Sequence, residues 1–394
     1  ALAALPFRIP LGSVSAGLLI PLYAVIGAAA LVAIVRGGEA HEPGLLERVL
    51  ALALIVYALQ ALYSPSDGLT KAVENAGFFY VPFALLYVLL RPLEWTPALR
   101  RRALYLLVRL GILFVLVGLG ELADHSRLLF NRGLDQDAYF IRINSLFYDP
   151  NVYGLYLALT IVLLAWVLLG ERRPRVLAAG GAVLALLWAG LLTSLSESAM
   201  IALLAGLAAA WIASGRRPGR ASLALVAAAA IAIGLAYAVA RSDIPTSLGG
   251  TSGSLSKVTS GRTSLVSEGI DLFGDRPLAG FGSGSFATEY LAHISHKPNG
   301  FEHHEHLPYQ KPATSDSHTT PITIAAEQGL IGLVVYLALL AAALRRTRGV
   351  YLALFVALVV DTLFYADFLE NPATWVILAL VVKSPLRPTQ AAPK

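Results

Sequence analysis

The chain has 394 residues, of which 57% are hydrophobic and only 14% charged, where a soluble chain of this length carries about 25% charge. It has no cysteine, which excludes disulfide frameworks and thiolate metal sites. The formal net charge of +5 comes from basic residues clustered between apolar runs, the pattern of cytoplasmic membrane loops and not of a nucleic-acid surface.

In chain order, near-charge-free segments at 11–35, 45–63, 74–90, 103–121, 150–170, 176–194, 199–213, 221–240, 321–344, 349–366 and 372–383 have the length and apolarity of bilayer crossings. The last is short for a span and is expected to be tilted or partly re-entrant. The expected fold is all-α, a polytopic transmembrane helix bundle of about 11–12 spans. Its divisions are an N-terminal membrane part at 1–240, one large loop subdomain at 241–320, and a C-terminal membrane part with its tail at 321–394.

Alternate connections carry the basic clusters: Arg36 and Arg48, then Arg91 with Arg100 to Arg102, then Arg172, Arg173 and Arg175. Arg216, Arg217 and Arg220 follow, then Arg345, Arg346 and Arg348, then Lys383, Arg387 and Lys394. These connections are assigned to the cytoplasm, which puts 64–73, 122–149, 194–198, 241–320 and 367–371 outside it. Eleven spans with a cytoplasmic C-terminus place Ala1 outside as well. Either a helix precedes Ala1 to Leu5, or the count is off by one.

Within 241–320, Thr246 to Ser260 is Ser/Gly/Thr-rich and reads as a mobile stretch. Arg262 to Phe273 spaces Leu265, Ile270 and Phe273 for a short amphipathic helix. Gly280-Phe281-Gly282-Ser283-Gly284 lacks the Lys-Ser/Thr of a phosphate-binding P-loop, and a tight turn needing flexible backbone is expected there. Phe301-Glu302-His303-His304-Glu305-His306, near His293 and His296, has residue types that bind zinc. No pair sits at i, i+4 on a recognisable helix with a third partner, so a solvated loop is expected and no metal site is assigned.

The polar residues of interest lie on the outer side: Arg142, Asp149, Asn151, Ser196, Glu197, Arg262, His318, Glu327, Asp367 and Glu370. Helix centres are almost clean of charge, Arg109 and Asp361 being the main exceptions. A transporter places ionisable groups along a path through the helices, whereas this asymmetry favours a site at one membrane surface. His318, just ahead of the 321–344 segment, is either a general base titrating near neutral pH or an interfacial residue capping the helix. Glu327, about two turns into that segment, either orients a substrate, pairs an arginine or forms a structural ion pair. Arg142 and Arg262 are either phosphate-binding forks or surface residues at headgroup level.

Three blocks resemble the O-antigen ligase and polymerase superfamily of bacterial membrane glycosyltransferases. They are Arg142 with Asn144 to Asn151, Gly261-Arg262 with Asp275-Arg276-Pro277-Leu278-Ala279-Gly280-Phe281-Gly282-Ser283-Gly284, and Ser317-His318 with Glu327-Gln328-Gly329-Leu330-Ile331-Gly332. Two departures are Thr319 where the family often has Asn, and Ser196-Glu197 where it often has Ser-Arg. The resemblance implies a metal-independent, inverting transfer, without cofactor, at the periplasmic face of the inner membrane. The donor would be a glycan on undecaprenyl diphosphate and the acceptor lipid A–core or another glycan. It gives His318 the acceptor hydroxyl and Arg142 and Arg262 the diphosphate, with Glu327 and Asn151 in support. An O-antigen ligase is the expectation, a polymerase of the same superfamily the alternative, and a lipid-linked sugar flippase the reading from a different class.

Overall fold

The structure, a computed structural model, describes residues 8–11, 14–17, 19–36, 42–124, 142–147, 149–215, 262–296 and 316–382. Every apolar segment expected from the sequence falls on a helix except 221–240, which lies outside these residues, as do 246–260 and the histidine-rich run at 301–306. Among the described residues, six helices are long and apolar enough to cross a membrane. The protein is an all-α polytopic bundle, a multi-pass membrane protein, and its helices divide between two compact units.

The first unit comprises 1–36, 92–250 and 348–361. A short antiparallel hairpin, β1 (Arg8–Leu11) and β2 (Val14–Gly17), precedes α1 (Leu19–Val35), so the helix starts later than the apolar run at 11–35 suggests. The unit continues with α5 (Pro97–Asp124), α6 (Pro150–Leu169), α7 (Pro174–Thr193) and α8 (Glu197–Ser214), and closes with α12 (Val350–Asp361). Helix α6 is the central one, packed against α5, α7, α8 and α12. Small residues set the approach: a Cβ on Gly206 would lie 2.8 Å from Val162 and 2.9 Å from Ala357. Lipid tails are as apolar as leucine, so membrane helices associate by such close packing. Leu106, Leu113 and Leu116 of α5 point outward, as lipid-facing residues do.

The second unit comprises 37–91, 251–347 and 362–394. It holds α2 (Leu45–Ala61), α3 (Ser66–Asn75), a π-helical turn at Ala76–Tyr80 and α4 (Val81–Leu90). It also holds α9 (Arg262–Asp275), α10 (Phe286–His296), α11 (Thr320–Arg346) and α13 (Pro372–Val382). Helix α2 runs along α11, and α4 packs on α13. The expected outer connection at 64–73 is instead mostly α3. It is amphipathic, with Asp67, Lys71 and Asn75 spaced i, i+4 along one face, which hydropathy alone takes for a loop. The amphipathic helix expected at 262–273 is present as α9. Leu265 and Leu272 of α9 clamp Phe286, Tyr290 and Ile294 of α10 over Ala326 of α11.

Candidate functional site

The mouth of α11 is built from its own local sequence. Asp316 folds back so that its Oδ1 accepts the His318 backbone N–H at 2.7 Å, an Asx turn of the kind Asp favours. Ser317 donates its N–H to Thr323 Oγ1 at 3.0 Å, and the two hydroxyls lie 2.9 Å apart. Pro321 sits in the first turn, where its missing N–H is no loss. Held from both sides, His318 takes φ +58°, a left-handed conformation costing about 1–2 kcal/mol for a residue with a Cβ. Such strain persists where the surroundings over-determine it, and it clusters at functional sites. The imidazole is about one third exposed, and its Nδ1 lies 3.7 Å from Asp316 Oδ1. That is ion-pair reach without a hydrogen bond. His318 does not cap the helix; the N-cap is Thr319, and it makes no side-chain cap bond.

Two turns on, α11 breaks at Gly329 (φ 61°, ψ −158°), and the Gly-rich turn docks into the break. The Ala326 and Glu327 carbonyls accept from Phe281 N at 3.2 Å and Gly282 N at 2.7 Å, while Leu330 N and Ile331 N donate to the Pro277 and Leu278 carbonyls at 2.7 and 3.2 Å. Backbone groups freed by a broken membrane helix must find such partners. From α2, Gln60 Nε2 donates to the carbonyls of Ala279 and Gln328, and the Tyr63 hydroxyl donates to that of Ala279. The turn needs glycine: Gly280, Gly282 and Gly284 all have φ between 66° and 105°, and a Cβ on Gly280 would sit 2.3 Å from the Glu327 carbonyl oxygen. This is the tight turn expected at 280–284.

Glu327 is buried, and both its oxygens are engaged: Oε2 accepts Gly284 N at 2.8 Å and Oε1 accepts Phe286 N at 3.1 Å. Phe286 opens α10, where a carboxylate suits the positive helix end. Glu327 therefore holds the Gly-rich turn to α11 through backbone N–H groups.

Beside these residues the second unit encloses a cavity of about 90 Å³, open on one side. Its charged lining is Lys71, Asp316, Glu327, Asp367 and Glu370. Glu370 Oε1 accepts from Asn75 Nδ2 at 2.8 Å, and the same nitrogen reaches Tyr57 Oη at 3.3 Å. Burial pushes the Glu370 carboxyl up to about 7; Lys71 opposes the shift and Asp316 adds to it. Sequence reasoning missed Lys71, which lies where a loop was expected, and Asn75, at the start of the apolar segment at 74–90, and gave Asp316 no role.

In the first unit, Arg142 and Asn151 come together as one network. Arg142 Nη2 donates to Asn151 Oδ1 at 2.9 Å, and Nε donates to the Ser194 carbonyl at 3.3 Å. Ser196 Oγ donates to the same Asn151 oxygen at 3.0 Å while its own oxygen caps α8 through Ala199 N. Asp149 caps α6 by accepting Asn151 N at 2.6 Å, which fixes the asparagine. Ser196 links the two helix starts, a role that sequence reasoning, which named it among the polar residues of the outer side, did not assign it.

Arg262 is the first residue of α9; its side chain lies outside the described residues. The histidine run at 302–306 lies outside them too. Among the described residues, ligand atoms of Glu268 and Asp271 on α9 and His293 on α10 fall within 4.8 Å of one another, with His293 Nδ1 4.0 Å from Asp275 Oδ2.

Compared with known families, residues 182–337 match the profile described as O-Antigen ligase. The matched segment contains Arg262, His318, Glu327 and the Gly329 break, and it ends short of Arg142 and Asn151 on the N-terminal side. No curated protein matches the chain.

Proposed function

We propose that this protein is a glycosyltransferase that moves a glycan from undecaprenyl diphosphate to a sugar hydroxyl of lipid A–core, a reading supported by the similarity of residues 182–337 to the O-antigen ligase family. The observation that carries the proposal is His318, held left-handed at the mouth of α11 with the Asp316 carboxylate against its Nδ1. An imidazole backed by a carboxylate on Nδ1 is suited to take a proton on Nε2, because the carboxylate stabilises the imidazolium that forms.

The acceptor hydroxyl gives its proton to His318 Nε2 as its oxygen attacks the anomeric carbon. The bond from that carbon to the diphosphate oxygen breaks, undecaprenyl diphosphate leaves with the electron pair, and the configuration inverts. Arg142 and Arg262 bear the charge that grows on the leaving diphosphate, a task that preorganised guanidinium groups perform without a metal. Asn151 and the Ser194 carbonyl anchor the Arg142 guanidinium. Apolar helices suit a donor with a polyprenyl tail. With the basic clusters assigned to the cytoplasm, the His318 turn faces the periplasm in this reading.

The test is transfer by purified protein, in chelator, from undecaprenyl-diphosphate glycan to lipid A–core. A lipid A–core adduct is expected from the wild type, and none above background from His318→Ala or Arg262→Ala. Transfer that survives both substitutions, or that requires added divalent metal, would overturn the mechanism. Products that lengthen on the carrier lipid with no lipid A–core adduct would identify a polymerase. One outer segment at 241–320, much longer than that at 122–149, favours the ligase.

A further inference from the structure

Among the described residues, Asn75 and Thr320 in the lining of the second unit's cavity each carry a buried polar atom with no hydrogen-bond partner. Asn75 is 5% exposed, and its Oδ1 has no hydrogen-bond partner although its Nδ2 is engaged; Thr320 is 6% exposed, and its Oγ1 has none. Both residues line the cavity. Buried polar groups are almost always satisfied, so an acceptor and a hydroxyl left open beside a cavity point to a hydrogen-bonding occupant.

The chemistry of that occupant follows from the rest of the lining. Asp316, Glu327, Asp367 and Glu370 face a single ammonium, that of Lys71. Four carboxyl groups against one cation make poor surroundings for a phosphate. Carboxylate, amide and hydroxyl groups together suit vicinal sugar hydroxyls, which both donate and accept. Tyr57, Tyr80 and Phe368 add apolar ring surface for the C–H faces of a pyranose. The volume of about 90 Å³ holds several hydroxyl-sized groups, since about 10–15 Å³ by this measure holds one water. The open side leaves room for the remainder of a glycan.

We propose that this cavity is a subsite for an uncharged sugar of the acceptor, presenting its hydroxyl toward the His318 turn, and that its carboxylates disfavour phosphorylated sugars. The proposal rests on the transfer reading above and deepens it. The diphosphate of the donor has no place in this cavity, so the donor and acceptor contacts are separable by mutation.

The experiment uses the full chain in lipid nanodiscs and two probes: delipidated core oligosaccharide with its phosphates intact, and the same material dephosphorylated. Saturation-transfer NMR reads binding without need of catalysis. The dephosphorylated probe is expected to bind at least about tenfold tighter than the phosphorylated one, and Thr320→Val or Asn75→Ala to weaken it by about tenfold, the scale of one lost hydrogen bond. Thr320→Val keeps the shape and the backbone bond from Thr320 N to the Thr362 carbonyl, so it guards against a folding defect. In transfer assays the same variants should raise KM for the acceptor and leave KM for the donor unchanged. Equal or tighter binding of the phosphorylated probe, no binding of either, or a rise in donor KM alone would overturn the proposal. Selective binding of the neutral probe by a protein that transfers nothing would overturn the transfer reading and leave the sugar subsite standing.

Discussion

His318 is placed by its neighbours more than by its own side chain. The Asp316 Asx turn and the Ser317–Thr323 hydroxyl pair fix its backbone, and the Asp316 carboxylate supports its ring. Asp316→Asn keeps the side-chain oxygen for the turn but removes the charge. It is expected to lower kcat by roughly tenfold with little change in melting temperature, whereas His318→Ala should lose the 10²–10⁴-fold, roughly, that a general base supplies; steady-state kinetics with melting curves separates the two. Glu370 gives a pH signature. Its folded pKa, about 7, lies above the ordinary carboxyl value, so folding favours the protonated form. The stabilisation is complete below the unfolded pKa and fades as pH rises through about 7. Lys71, Asp316 and Asn75 are the groups facing it. Wild-type melting temperature should therefore fall as pH rises from about 4.5 to about 7, and that of Glu370→Gln should fall less, the difference being on the order of 2 kcal/mol at the upper end.

Among the elements, α11 decides the architecture of the candidate site. Its break at Gly329 creates the open backbone groups that receive the 277–282 turn, and Glu327 ties the far side of that turn and the start of α10. Gly329→Ala would place a Cβ 2.5 Å from the Leu278 carbonyl group at a φ of 61°. A loss of more than about 2 kcal/mol is expected, measured as a lower unfolding temperature in detergent. Glu327→Ala would leave two buried N–H groups unsatisfied, which costs about 1–3 kcal/mol each; Glu327→Gln, able to accept only one of them, should fall between that variant and wild type. If Glu327 instead acted on substrate, Glu327→Gln would lose activity with its melting temperature unchanged.

For the molecule as a whole, charge placement is the organising constraint. The basic clusters alternate between connections along the chain, and the proposed orientation rests on assigning those connections to the cytoplasm. Accessibility labelling of single cysteines in this cysteine-free chain tests the arrangement. A cysteine at Ser267 is expected to react from the periplasmic side and one at Ser214 only after permeabilisation; the reverse would overturn the orientation and the proposed substrates with it. Division into two compact units places Arg142 with Asn151 in one, and Arg262, His318 and Glu327 in the other.

The sequence by itself determined the helix bundle, the mouth of α11 and the Gly-rich turn. Those features follow from local causes: long apolar runs, a polar-to-apolar step with Pro321 behind it, and glycines where only positive φ serves. The tertiary structure alone decided what Glu327 holds, because its partners lie 41 and 43 residues earlier in the chain. It alone turned the 64–73 connection into a helix that presents Lys71, and beyond that connection Asn75, to a cavity, since an amphipathic helix and a polar loop have the same mean hydropathy. Likewise, only packing brought Ser196 to Asn151 and left the Asn75 oxygen open, for no local pattern records which buried group lacks a partner.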